Sequence, residues 1–151
     1  MNDLAAADPL LLDFMTGIGW FPGREVDLTA DLEAWAAGGY AVPGAVQEFM
    51  AECGGLEFEY PRSAAVGGTY SCVVSGVDAA GGLFRAKVAE YEVRLGLELC
   101  PIGHAAGRHL TLLMARDGRT YGGKDHFLAK VADDGYRALQ AIWLRKKLLN
   151  V

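Results

Sequence analysis

Residues 49–60 read Phe49-Met50-Ala51-Glu52-Cys53-Gly54-Gly55-Leu56-Glu57-Phe58-Glu59-Tyr60, and the spacing of apolar side chains changes inside that stretch. Up to Cys53 the apolar positions Val46, Phe49, Met50 and Cys53 recur at i, i+3, i+4 and i+7, the stripe of an amphipathic helix. Beyond Gly55 they alternate with Glu57 and Glu59, which predicts a half-buried strand with both acids facing outward. The glycines supply the break, and Gly54 suits the left-handed position that follows a helix end.

Working towards the N-terminus, Pro43 opens that helix and Gly38-Gly39 closes another, marked by Leu28, Leu32 and Trp35 with Asp27 or Thr29 as its cap. Asp8-Pro9 reads as cap and first position of a helix carrying Leu11, Phe14, Met15 and Ile18, stopped by Gly17 and Gly19. Towards the C-terminus, 61–68 is a loop, 69–74 a strand and 76–82 another loop. Phe84, Val88, Tyr91 and Leu95 share one face of a helix. Residues 97–102 form a strand whose Pro101 suits an edge or a bulge. Residues 110–115 are a strand, Asp117-Gly118 a hairpin turn and Thr120-Tyr121 the return. The pattern at 127–131 fits either helix or strand. A last helix, capped by Asp133 or Asp134, carries Tyr136, Leu139, Ile142 and Trp143 on its apolar face and ends in Arg145-Lys146-Lys147, which complements its dipole. Hairpin-linked strands with helices outside them imply an α+β fold, a mainly antiparallel central sheet flanked by helices.

The chain has 151 residues, 52% of them hydrophobic, enough for one domain with a core, expected to span 1–151. The longest apolar run, 9–12, is too short to cross a bilayer, so no membrane contact is expected. The start of the chain lacks the basic region of a signal peptide, and Cys53, Cys72 and Cys100 are odd in number and widely spaced. A cytoplasmic protein with three small buried thiols is the expectation. Residues 1–75 hold eleven acids against Arg24 and Arg62, whereas 76–151 carry a surplus of bases. The halves offset each other in part, and the acidic one can steer a basic partner. A net charge of −5 argues against nucleic-acid binding.

Catalytic patterns are weak. Gly118-x-x-x-x-Gly123-Lys124 approaches a phosphate loop, but Asp125 stands where a magnesium-binding hydroxyl belongs, and Gly118 already serves the hairpin. Cys100, His104 and His109 lack the ligand number and spacing of a zinc site and read as loop or surface histidines beside a buried thiol. No sequence around the cysteines indicates a nucleophile paired with a base. Neither a cofactor nor a metal is expected. Glu57 and Glu59 read first as solvated acids, then as a partner contact together with Arg62 in the adjoining loop. Glu33, Glu48 and Glu52 fall on polar helix faces. Trp20 reads as a ring packed on the helix core while Pro22-Gly23 reverses the chain and Arg24 bonds carbonyls or pairs with an acid.

Four segments, taken in order, resemble the third immunity-protein subgroup of the SUKH superfamily, which includes the yeast cell-wall-synthesis regulators. They are Gly19-Trp20-x-Pro22-Gly23-Arg24-x-Val26-Asp27; 49–56 with its Gly54-Gly55 pair; Leu95-Gly96 with Leu99-Cys100-Pro101-Ile102-Gly103; and Gly118-Arg119-Thr120-Tyr121. The resemblance extends from about residue 14 to 145. Cys53 departs from the pattern, standing where an aromatic is usual, as does the short Gly76-Val77-Asp78 in place of a Pro-rich stretch. The resemblance implies a SUKH-like α+β domain without enzymatic activity. It would bind and neutralise a toxin, often a nuclease or deaminase, of a bacterial polymorphic or contact-dependent system. An interaction module for another partner and a small hydrolase using Cys100, His104 or Glu57 are the competing readings.

Overall fold

The computed structural model describes residue 1 and residues 6–151. Seven antiparallel strands form one sheet in chain order: β1 (Glu57–Pro61), β2 (Thr69–Val74), β3 (Leu99–Ala105), β4 (Leu110–Ala115), β5 (Thr120–Lys124), β6 (Phe127–Ala132) and β7 (Leu149–Asn150). Helices α1 (Pro9–Gly17), α2 (Thr29–Gly38) and α3 (Gly44–Cys53) precede it. The short α4 (Gly76–Ala80) and α5 (Arg85–Leu95) join β2 to β3, and α6 (Gly135–Trp143) joins β6 to β7. The α+β expectation therefore holds, with 127–131 resolved as a strand.

Helices lie on both faces. Gly135, at the start of α6, is wedged against Met114 of β4 and Phe49 of α3. Phe14 of α1 meets Phe58 of β1 edge-on, with centroids 5.4 Å apart, and stacks beside Trp143. On the other face Tyr91 of α5 presses on Gly123, and Gly82, in the link from α4 to α5, sits against the Thr111 hydroxyl. Thr111 and Gly123 are direct partners across β4 and β5 and so project to the same side. The layers enclose a core in which Leu11, Met15, Trp35, Met50, Tyr91, Leu113 and Leu139 are buried completely.

Several local expectations are met. The Asp8 carboxylate accepts from the N–H groups of Leu10 and Leu11, Asp134 accepts from Arg137 N–H, and Val46, Phe49, Met50 and Cys53 are all buried. Others are corrected. The last helix stops at Trp143, so Arg145-Lys146-Lys147 lie beyond it. Phe84 is not on the buried face of α5; it caps the helix and is 87% exposed. Residues 76–80 fold as a helical turn because Ser75 caps it, accepting from Asp78 N–H. Gly54 has an ordinary φ of −54°, and Gly55 takes the left-handed position at +84°. Gly54 is needed for another reason: a side chain there would stand 2.7 Å from the Met50 carbonyl oxygen.

Pro101 is in a central strand, tolerated at a bulge rather than at an edge. The register steps from Pro101 opposite Leu113 to Gly103 opposite Leu112, which makes Ile102 the extra residue. Both carbonyls at the bulge find partners: Pro101 O accepts from the Trp35 indole N–H at 2.8 Å, and Ile102 O from Ser75 N–H at 2.9 Å. The bulge thus ties α2 and the end of β2 to the middle of the sheet.

Candidate functional site

The segment that opens with Gly19-Trp20 is scaffold. The Trp20 ring is buried, and its main-chain N–H bonds Met15 O at the end of α1. Its indole N–H has no partner among the described residues. Arg24 reaches the far end of α3 and donates to Glu52 O at 2.6 Å and Gly54 O at 2.8 Å. It thereby satisfies carbonyls that the end of a helix leaves free. Gly19 and Gly23 adopt positive φ, and Pro22 and Gly23 are exposed in the intervening turn. At the other corner, Gly55 N–H donates to Val74 O, and Val74 N–H returns to Leu56 O, which docks β1 on β2 immediately after the helix ends. Gly103 permits the third close approach, since a Cβ there would lie 2.2 Å from Val73 O.

Glu57 and Glu59 are exposed on β1, an edge strand paired only with β2. Their cross-strand partners are Val73 and Ser71. Phe58 and Tyr60 alternate with them and turn to the face that α1 covers. The two acids therefore stand together on the opposite face. Acids on an edge strand also discourage pairing with a stray strand, so this position has a structural use as well. Arg62 is not brought to them. Its guanidinium stacks 4.6 Å over the Tyr70 ring, on the side of Tyr60. Its carbonyl accepts from Arg145 and its N–H bonds Gly68 O, so it closes the loop rather than flanking the acids.

Beside Val73 the surface dips into a recess of about 570 Å³ whose wall includes Asp27, Asp31, Ser75 and Asp78, with Arg24 as its basic residue. Asp27 accepts from the Thr29 N–H and hydroxyl, which hold its carboxyl below the usual carboxylate range. Asp31 accepts from Val77 N–H at 3.0 Å. Glu57, Glu59, Asp27, Asp31 and Asp78 thus give this side an acidic surface drawn from four elements. Spacing in sequence could not reveal that gathering, because Asp78 lies in a segment read as loop and Asp31 on a helix face without a pattern.

His104 overturns the surface-histidine expectation. It lies in β3, only 5% exposed, opposite Val73 on one side and Thr111 on the other. Burial, with the Arg108 guanidinium second, holds its imidazole below the ordinary value. His109 and His126 are exposed, as expected. Cys100 pairs with Met114, three residues from Thr111 along β4, so the Cys100 and His104 side chains point to opposite faces and cannot act as a pair. Burial pushes the Cys72 and Cys100 thiols up to about 12 and raises that of Cys53 as well, leaving all three protonated and unreactive near neutrality. The hydrolase reading therefore loses its nucleophile. Glu52 is not merely solvated: it accepts from the Tyr136 hydroxyl and links α3 to α6.

Among the described residues, no helix is long and apolar enough to cross a membrane. The family model described as SUKH-3 immunity protein matches residues 8–144, nearly the whole chain. The chain belongs to the SUKH-3 immunity protein family. No curated protein and no solved structure matches it. Every segment that suggested the SUKH resemblance lies inside the match, and each serves the architecture. Arg24 caps α3, the glycine pair docks β1, the bulge receives Trp35, and Gly118 turns β4 into β5 at a φ of +92°. The family assignment brings with it an immunity role, a toxin as the general class of partner, and work generally done without catalysis.

Proposed function

We propose that this SUKH-3 protein neutralises one cognate toxin of a bacterial polymorphic or contact-dependent system by direct stoichiometric binding in the cytoplasm, acting as a single non-enzymatic domain. The toxin class that fits best acts on nucleic acid, as a nuclease or deaminase. Such an enzyme holds its substrate in a basic groove, and an acidic protein surface can occupy that groove in place of phosphates. The observation that carries this reading is the exposed pair Glu57 and Glu59 at the edge of the sheet, on the same face as the Asp27, Asp31 and Asp78 recess. Binding there would exclude substrate by occlusion and would be accelerated by long-range attraction.

The test has two parts. Co-expression with the toxin domain encoded beside this gene should restore growth, and purified toxin should bind at one-to-one stoichiometry. Reversing both acids, Glu57→Lys with Glu59→Lys, should slow association by at least about tenfold at low salt and flatten its salt dependence. Unchanged association kinetics in the double variant would remove these acids from the interface. Failure of every neighbouring toxin to bind would favour an interaction module for another partner.

A further inference from the structure

The acidic face contains a second recess, of about 420 Å³, between α4 and the turn that follows β3. His104 forms part of its wall. Both ring nitrogens are buried and neither has a hydrogen-bond partner among the described residues. The Asp78 carboxylate faces the ring, but its Oδ2 stands 3.8 Å from Nε2, beyond hydrogen-bond range. An imidazole left in that condition at the side of an open recess calls for a partner from outside.

The lining specifies which kind. Asp78 contributes a partly exposed carboxylate and Thr111 a hydroxyl, while the Ala79 carbonyl is already taken by Gly82 N–H at 3.0 Å. A neutral His104 adds one ring nitrogen as an acceptor. Acceptors therefore outnumber donors. The single cation at the recess is Arg108, which is 67% exposed and reaches Asp78 only at 3.4 Å. It sits at the end of a turn in which Ala106, Gly107 and Arg108 all have positive φ, at 51°, 60° and 78°. Two of the three are not glycine, so the turn is strained. Arg108 is held over the mouth by that turn and by a weak contact, an arrangement that a better-placed cation can displace.

We propose that this recess receives the guanidinium of an arginine from the protein partner, with Asp78 as its counterion and His104 as a hydrogen-bond acceptor, and that Arg108 gives way to it. A planar fork of donors can engage a carboxylate and a second acceptor together, which a lysine ammonium does less well. The inference deepens the immunity reading, since it needs a protein partner, and it places an anchor beside the surface of Glu57 and Glu59.

The test uses the full chain without any toxin. N-acetylarginine amide is titrated while the His104 ring resonances are followed by NMR, with N-acetyllysine amide and inorganic phosphate as comparison ligands. The expected result is a saturable His104 shift with the arginine derivative in the millimolar range. Asp78→Asn should abolish it, and Arg108→Ala should strengthen it several-fold by removing the internal competitor. Lack of saturation, an undiminished response in Asp78→Asn, weaker binding in Arg108→Ala, or a stronger response to phosphate would each overturn the proposal. An equal response to the lysine derivative would overturn the guanidinium assignment. A failure here leaves toxin binding through Glu57 and Glu59 standing, whereas a saturable site in a chain that binds no toxin would sink the immunity reading alone.

Discussion

Two residues of β3 show how much rests on single positions. Gly103 has no room for a methyl group: the Val73 carbonyl occupies the space, and β2 meets β3 at only two register pairs. Gly103→Ala should therefore prise those strands apart and destabilise the fold by about 3 kcal/mol, read as a lowered urea midpoint with an unchanged slope. His104, one residue on, gives the protein a pH response. Its folded-state pKa is depressed, so the unfolded chain takes up the proton first and protons favour unfolding. The contribution is complete above the ordinary imidazole range and is lost as pH falls through that range towards the lower folded value. The urea midpoint should decline between about pH 8 and about pH 5, and His104→Gln should remove the histidine part of that decline. A variant with the same pH profile as the parent would show that Asp78 and Arg108, the charged groups facing the ring, cancel the effect of burial.

Among the elements, α2 and α4 are held to the sheet by one indole. Trp35 is fully buried, its ring fills the space beside Gly76, and its N–H takes the Pro101 carbonyl that the bulge leaves without a ladder partner. Trp35→Phe keeps most of the apolar surface but strands that carbonyl. The expected loss is about 2 kcal/mol, measurable by thermal or urea unfolding. This bond was not legible in the sequence. Periodicity placed Trp35 on the apolar side of a helix and Pro101 at a bulge or edge, but nothing in their spacing says that one meets the other. Helices with strong local signals were read correctly: Asp8-Pro9 starts α1, and the stripe from Val46 to Cys53 is the buried side of α3. Weak or short elements were not. The five-residue α4 depends on Ser75 and on packing against α2, and β7 has only two residues, set by pairing with β6. Tertiary context decides such pieces.

Across the whole molecule, one sheet and one cluster of buried side chains connect α1 to α6. Unfolding followed by tryptophan fluorescence and by far-UV circular dichroism should therefore give coincident curves, because Trp20, Trp35 and Trp143 report on three regions of the same packed unit. Separate transitions would divide the chain at a boundary that the packing does not show. The candidate site was legible only in part. Alternation told that Glu57 and Glu59 face outward, since a strand has only two sides. It could not tell that Arg62 turns to the other side with Tyr70, nor that Asp31 and Asp78 arrive from two separate helices. The strand order has a consequence of its own. Because β1 to β7 lie side by side in the order in which they are made, each new strand meets a neighbour already synthesised. Assembly of the sheet can then follow the ribosome strand by strand, and α6, made near the end, closes the fold through Trp143 on Phe14 and Tyr136 on Glu52. A protein needed the moment its adversary arrives gains from being ready almost as soon as translation ends.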